Sequence, residues 1–324
     1  MKVSNKAKGI RLRAANGIAV LLATMLCAMA ASVTAFGQEA KGDENYAVFV
    51  SQRNGAAELY LIDLGTRQVS QLTNTGRGHL TPSIAANRAI VFASREGSNY
   101  ELFSGSLGTA WRTRRPTITG LNRLTINTSD EIGTSITREG DTMAFVSGNG
   151  IEIMTAGGGG RQMAIPATEQ YNDFAPAISP DGGRIAFVSN RAGAYDIWLY
   201  TKVTGGLRQL THSAKASGGL SWSADGRQIV FNTTATDNDV SGVAMTDAET
   251  GAFRVLTNNG DFNGSLSARG DRMLFTSTRD GNAELYLLNV GSGSVERLTV
   301  SAGADDGAVF VAEPIRPSPP TRRP

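Results

Sequence analysis

One phrase recurs along this chain at a nearly constant interval, and it constrains the fold more than any other feature. The phrase is an apolar segment ending in a turn, then I-V/A-F-x-S, a second turn, E/D-L/I-Y/W, and finally R/Q-L-T. It reads AISPDGGRIAFVSNRAGAYDIWLY…RQLT at 177–211, LSWSADGRQIVFNTT…RVLT at 220–257 and SLSARGDRMLFTSTRDGNAELYLL…ERLT at 265–299. Earlier copies stand at 83–103 and 135–154, and a first copy at 46–73 begins at the second segment. The central phenylalanines, Phe49, Phe92, Phe145, Phe187, Phe231 and Phe275, are spaced 43, 53, 42, 44 and 44 residues apart. Each unit holds about four short alternating segments separated by Gly, Asp, Asn and Ser, which are strand and hairpin signals. Four strands in roughly 40–45 residues make a propeller blade. One such unit cannot cover both faces of its own sheet, so the units must stack around an axis. The pattern predicts an all-β, six-bladed propeller of four-stranded blades over residues 46–313.

The first unit lacks its opening strand, and the polar stretch 38–45, QEAKGDEN, cannot supply one. One period beyond Leu266 of the sixth unit lies Phe310, inside Ala308-Val309-Phe310-Val311-Ala312. This C-terminal segment is therefore predicted to pair beside 46–51 and close the ring, hiding two sheet edges that would otherwise invite aggregation. Residues 314–324, PIRPSPPTRRP, carry five prolines and read as a disordered tail.

The N-terminus has the layout of an export signal. Residues 1–13 are basic, and 17–36 are apolar with small residues towards the end. Cleavage fits after Ala30 or after Gly37, with Gly37 preferred because Gln38 opens the polar stretch. The alternative is an uncleaved anchor, since about 20 apolar residues can span a bilayer. Cys27 is the only cysteine, and the preceding Thr24-Met25-Leu26 lacks the small residue that lipidation would require. Without residues 1–37 the chain has 26 basic against 29 acidic residues, so the apparent basicity belongs to the leader. Nothing in that balance favours nucleic acid. The expectation is a periplasmic or secreted monomer with no membrane span after cleavage.

The pattern S-P-D-G-x-x-I-A-F-V-S-x-R-x-G…D-I-W…L-T at 179–211 resembles the WD40-like repeat of the TolB propeller family. The resemblance extends over nearly all of 46–312. It implies an exported propeller that binds a protein or peptide partner in the cell envelope. The α/β domain that precedes the propeller in TolB has no counterpart in the few residues between the leader and the first blade.

Two sets of residues are candidate partner-binding sites. Asp130, Asp173, Asp261 and Asp305 share one repeat position just before the opening strand, with Ser217 in the fifth register and the remaining position near Arg77-Gly78. The opening strand of a blade is innermost, so these aspartates are expected to rim one mouth of the channel. Left unpaired, they would form a negative funnel for a basic peptide or a divalent cation. As Asx turns, they would instead bond their own backbone. The 53-residue spacing marks an insertion within 107–123, where Trp111, Arg112, Arg114 and Arg115 form a basic-aromatic loop of the kind that anchors partners. A structural role is assigned to Arg53/Glu58, Arg95/Glu101, Arg191/Asp196 and Arg279/Glu284, expected to pair across the second hairpin of four blades.

No catalytic group, cofactor or metal site is expected. The chain has no G-x-S-x-G elbow and no H-E-x-x-H. Its two histidines, His79 and His212, read as surface residues on separate loops. Asp237-Asn-Asp239-Val-Ser241-Gly242 imitates the start of a calcium loop but has Ala248 where the bidentate glutamate belongs. Gly157–Gly160 lies between strands and not before a helix, so it does not cradle phosphate. The competing functional class is a propeller enzyme, lyase or glycan-acting, using channel carboxylates.

Overall fold

The computed structural model describes residues 44–109, 115–236 and 240–311. The leader, the cleavage sites, the loop residues Trp111, Arg112 and Arg114, the calcium-like Asp237–Asp239 stretch and the proline-rich tail lie outside the described residues. The described chain is six four-stranded antiparallel sheets. Blade one holds β1 (Tyr46–Ser51), β2 (Glu58–Asp63) and β3 (Val69–Gln71). Blade two follows as β4 (His79–Ile84), β5 (Ala89–Glu96), β6 (Asn99–Thr109) and β7 (Pro116–Arg123). Blade three is β8 (Glu131–Ile136), β9 (Thr142–Ser147), β10 (Gly150–Thr155) and β11 (Gln162–Ile165). Blade four is β12 (Asp173–Ile178), β13 (Arg184–Ser189), β14 (Asp196–Thr201) and β15 (Gly206–Gln209). Blade five is β16 (Ala216–Trp222), β17 (Gln228–Thr233), β18 (Gly242–Asp247) and β19 (Phe253–Val255). Blade six is β20 (Asp261–Leu266), β21 (Arg272–Ser277), β22 (Glu284–Asn289) and β23 (Val295–Arg297), after which β24 (Asp305–Val311) returns to blade one.

The ring closes as the sequence register predicts. Strand β24 lies on the inner side of β1 in the order β24-β1-β2-β3, with Phe310 opposite Ala47 and Val309 opposite Val48. The six first strands, β4, β8, β12, β16, β20 and β24, each contact the next around the axis.

The repeated phenylalanine explains why the blades adhere. All six are at most 1% exposed. Each fills the junction with the preceding blade. Phe49 and Phe310 of blade one pack with Leu274 and Leu285 of blade six, and Phe231 of blade five packs with Ile197 and Leu199 of blade four. Burying a side chain of this size contributes about 1.5–3 kcal/mol, so the six junctions hold much of the hydrophobic stabilisation.

The insertion in blade two is a long hairpin. Strand β6 has 11 residues against 6 in the other third strands, and β7 has 8 against 3 or 4 in the other outer strands. Leu107 of β6 is buried, and Ile118 of β7 packs with it on the junction between blades one and two.

Each innermost strand also carries a residue at positive φ two places after its start, and β16 has a second, Gly219, directly after it. The residues two places in are Thr81 (47°), Gly133 (66°), Ala175 (49°), Gly218 (119°), Asn263 (53°) and Gly307 (63°). The pairing register to the second strand slips there, or beside it, in all six blades. A residue is thus extruded from the ladder at one level of the ring, and three side-chain-bearing residues accept the left-handed strain.

Candidate functional site

The candidate site is the face of the ring on which the innermost strands begin. Antiparallel pairing brings four things there in every blade: the start of the first strand, the second hairpin turn, the start of the third strand, and the crossing loop to the next blade. The candidate aspartates lie on this face, but none of the four is free: three meet arginines and Asp130 accepts a backbone N–H.

Asp173, Asp261 and Asp305 each open an innermost strand opposite a serine: Ser189, Ser277 and Ser51. An arginine two residues after that serine reaches back to the aspartate. The distances are 2.5 Å for Arg191 to Asp173, 2.7 Å for Arg279 to Asp261 and 2.8 Å for Arg53 to Asp305. In each case the arginine Nε also donates to the serine Oγ, at 2.8–3.0 Å. The guanidinium lies over aromatic rings of its own blade, such as Phe275 and Tyr286 for Arg279. Burial pushes the Asp305 carboxyl above the usual carboxylate range, although Ser51 and Arg53 pull the other way. Of the two readings, the ring of unpaired carboxylates is overturned at these three positions, which are neutralised, buried Ser–Arg–Asp units, while Asp261 also accepts the Asn259 N–H of its own loop at 3.2 Å. A mostly buried carboxylate is stable only with such partners.

The register needs correction at the other three positions. Asp130 sits one residue ahead of β8 and accepts the Tyr100 N–H at 2.8 Å. Its neighbour Glu131 takes the ring position, opposite Ser147, and meets Arg161 at 3.1 Å. That arginine comes from the loop before β11, because blade three has no arginine after its serine. Blade two has His79 at the ring position, not the Arg77-Gly78 pair, and blade five has Ala216, not Ser217. Counting a fixed period misplaced these by one or two residues because crossing loops differ in length.

The arginine–carboxylate pairs across the second hairpin are corrected as well. Glu58, Glu101, Asp196 and Glu284 turn away from those arginines and hold the crossing loop. Glu58 accepts the Thr75 and Gly76 N–H groups at 2.6 Å each, Asp196 the Ala214 N–H at 2.8 Å, and Glu284 the Ser301 N–H at 2.7 Å. The threonine of each L-T completes the lock by accepting the next strand N–H, as in Leu285 to Thr299 at 3.0 Å. The repeat phrase E/D-L/I-Y…L-T is thus one hydrogen-bonded unit. In blade five the acid is replaced by Gly242, where a Cβ would lie 2.0 Å from the Thr257 carbonyl oxygen.

Two acids meet where blades two and three join. Glu131 lies within hydrogen-bonding reach of Glu101, whose carboxyl is pushed up by burial but pulled lower overall by Thr125, Asn127, Glu131 and Arg123. Both side chains are at most 1% exposed, so no substrate reaches them. Among the described residues, no group of three or more His, Cys, Asp or Glu side chains converges as a metal site.

Beside exposed polar and charged side chains such as Arg77, Arg95 and Asp130, this face also carries exposed apolar ones. Ile126 and Val300, each immediately after an L-T, are 81% and 83% exposed. Ile132 on β8, Tyr195 before β14 and Val240 before β18 are also exposed. Of the other large exposed apolar residues described, Leu121, Met163, Leu207, Val255 and Val295 lie on outer strands, and Val203 alone is on the opposite face. Sequence reasoning missed these side chains; the isoleucine or valine that follows two of the five L-T copies was the available signal for Ile126 and Val300. Arg115, from the second candidate set, is exposed just before β7.

No protein-family model matches the chain. A TolB homologue of Chlorobium chlorochromatii is 29% identical over 145 residues, which is 44% of this chain and 31% of that protein. The match therefore spans about a third of that relative's length. The solved TolB of Acinetobacter baumannii superposes with a TM-score of 0.69 at 18% identity, covering 82% of this chain and 66% of that one. An oligogalacturonate lyase from Vibrio parahaemolyticus superposes with a TM-score of 0.52 at 14% identity, covering 78% of this chain and 74% of that one. At such identities the superpositions establish the fold alone. In the sequence of its repeats and in its six-bladed fold, the chain is similar to TolB homologues.

Proposed function

We propose that this chain is an exported, non-enzymatic β-propeller that docks a protein or peptide partner in the cell envelope, in the periplasm or outside the cell. The observation that carries the reading is the uneven distribution of exposed apolar side chains. Among the described residues, Ile126, Ile132, Tyr195, Val240 and Val300 are exposed on the face where the inner strands begin, against Val203 alone on the opposite face. These five stand on loops or strand starts of different blades, so the partner this reading calls for spans the mouth of the ring. Two further facts support it: the similarity to TolB homologues, and the leader-like residues 1–37. The partner meets apolar loop tips and not a negative funnel, so its binding should depend weakly on salt. β6 ends and β7 begins on the face that carries Val203, so Trp111, Arg112, Arg114 and Arg115, which fall between them in sequence, would be a separate and salt-dependent contact in this proposal.

The enzymatic alternative requires a carboxylate free to move a proton to or from a substrate. The candidate rim carboxylates are held by arginines or backbone amides, Asp306 beside Asp305 accepts from the Asn263 amide and the Thr276 hydroxyl, and the Glu101–Glu131 contact is closed to solvent. The test is affinity capture from envelope extract with the full chain, the Ile126→Asp/Val300→Asp double variant and a Val203→Asp control. A partner held by the parent and the control but lost by the double variant is expected. Equal capture by all three refutes the assignment of the face.

A further inference from the structure

Blade two departs from its neighbours at the ring position. Blades one, four and six begin their innermost strands with aspartate and blade three with glutamate, but blade two begins with His79. The imidazole is 2% exposed, not at the surface as the sequence suggests. Its Nε2 lies 3.1 Å from Oε2 of Glu58 on blade one and 3.0 Å from the Thr75 Oγ1. The Phe92 ring meets it edge-on, with centroids 5.1 Å apart. The other ring nitrogen, Nδ1, is buried without a hydrogen-bond partner.

This arrangement selects one protonation state. An ionised carboxylate only accepts, so Nε2 carries the proton that faces Glu58 and Nδ1 is left as a bare acceptor. A second proton would place an N–H donor in a buried site with nothing to receive it. Glu58 favours that proton electrostatically: its Oε1 is taken by the Thr75 and Gly76 N–H groups, but Oε2, which faces Nε2, is buried with no other hydrogen-bond partner. The other charged groups that act on the imidazole, Arg77 from the preceding loop and Glu96 at the end of β5, are paired with each other. Burial outweighs the attraction of Glu58 and holds the histidine below its ordinary range.

Other junctions differ in an instructive way. Where two acids meet, the R/Q-L-T phrase supplies arginine: Arg123 lies 3.2 Å from Glu101, and Arg297 lies 3.2 Å from Glu284. Where the acid meets His79 or Ala216, the same position is Gln71 or Gln209. The junction of blades one and two therefore has a titratable group in place of a fixed cation.

We propose that His79 is a proton-sensitive lock between blades one and two. Neutral, it closes the junction against Glu58 and Phe92. Protonated, it loosens that junction and frees the crossing loop at Thr75–Gly76, which lies on the apolar face. The sign follows from linkage. The unfolded chain takes up the proton near pH 6.5 and the folded chain only at lower pH, so stability falls as pH drops below about 6.5.

The chain has only two histidines, which makes the test direct. In the full chain with ring-labelled histidine, the resonance absent from His79→Gln should titrate with a midpoint below about 6.5. Hydrogen-exchange protection of the Thr75 and Gly76 amides should fall over the same range. His79→Gln, whose amide can still donate to Glu58, should keep the fold and lose that pH dependence. A midpoint at or above 6.5 overturns the proposal, as does an equal loss of protection in the variant. Should His79→Gln not fold, His212→Gln assigns the parent resonance and the midpoint still decides.

Discussion

Phe310→Ala isolates the closure of the ring by β24. Phe310 is 7% exposed and packs with Ala47, Phe49, Tyr60, Leu274 and Leu285 across the seam between blades six and one. The Arg272 guanidinium lies 5.5 Å from its ring centroid. Truncating a core phenylalanine costs about 3–5 kcal/mol through lost transfer energy and the cavity left behind. For domains of 150–250 residues, each kcal/mol shifts Tm by roughly 2–4 °C, so a loss of order 10 °C is expected. Urea unfolding of the full chain, followed by tryptophan fluorescence and circular dichroism together, measures the change. Phe275→Ala, at a junction closed by sequential chain, is the matched control and should cost a similar amount. Truncation after Ala312 should be nearly silent, and truncation before Asp305 should abolish cooperative unfolding. The reasoning fails if Phe310→Ala costs under about 1 kcal/mol while Phe275→Ala costs the full amount, since the seam would then not bear the load of an ordinary junction.

Asp261→Asn should destabilise by about 2 kcal/mol, the range for a hydrogen bond to a charged group, because Arg279 loses its anion in a half-buried position. Asp130→Asn, at an exposed carboxylate, should stay within about 0.5 kcal/mol in the same urea titration. A ring of mutually repelling carboxylates would give the opposite sign for Asp261→Asn. Tyr286 donates to Asp280, and burial together with that carboxylate pushes its hydroxyl up to about 12. A spectrophotometric titration should therefore show a tyrosine still protonated when the exposed ones have ionised, and Asp280→Asn should bring it down.

The sequence by itself determined the blade count, the four-strand composition of each blade and the closing strand. All three follow from spacing, because a residue packed against the neighbouring blade must recur once per blade. Phe310 could be placed beside Ala47 by adding one period to Leu266, since the strand ladder fixes distance along the chain. The R/Q-L-T phrase was legible as a repeat, but its use was not. That a threonine hydroxyl accepts the N–H beside Glu58 or Glu284 depends on a loop folding back across the sheet. Partner choice among charges was decided only in three dimensions. Arg53, Arg191 and Arg279 stand five residues from one acid and 18 or more from another, and they bond the distant one. The nearer acid is already taken by backbone amides whose positions no spacing reveals. The same reason moved the ring position from Asp130 to Glu131 and buried His79: a crossing loop that gains or loses one residue shifts the sequence count, whereas the strand end it leads to stays where the sheet puts it.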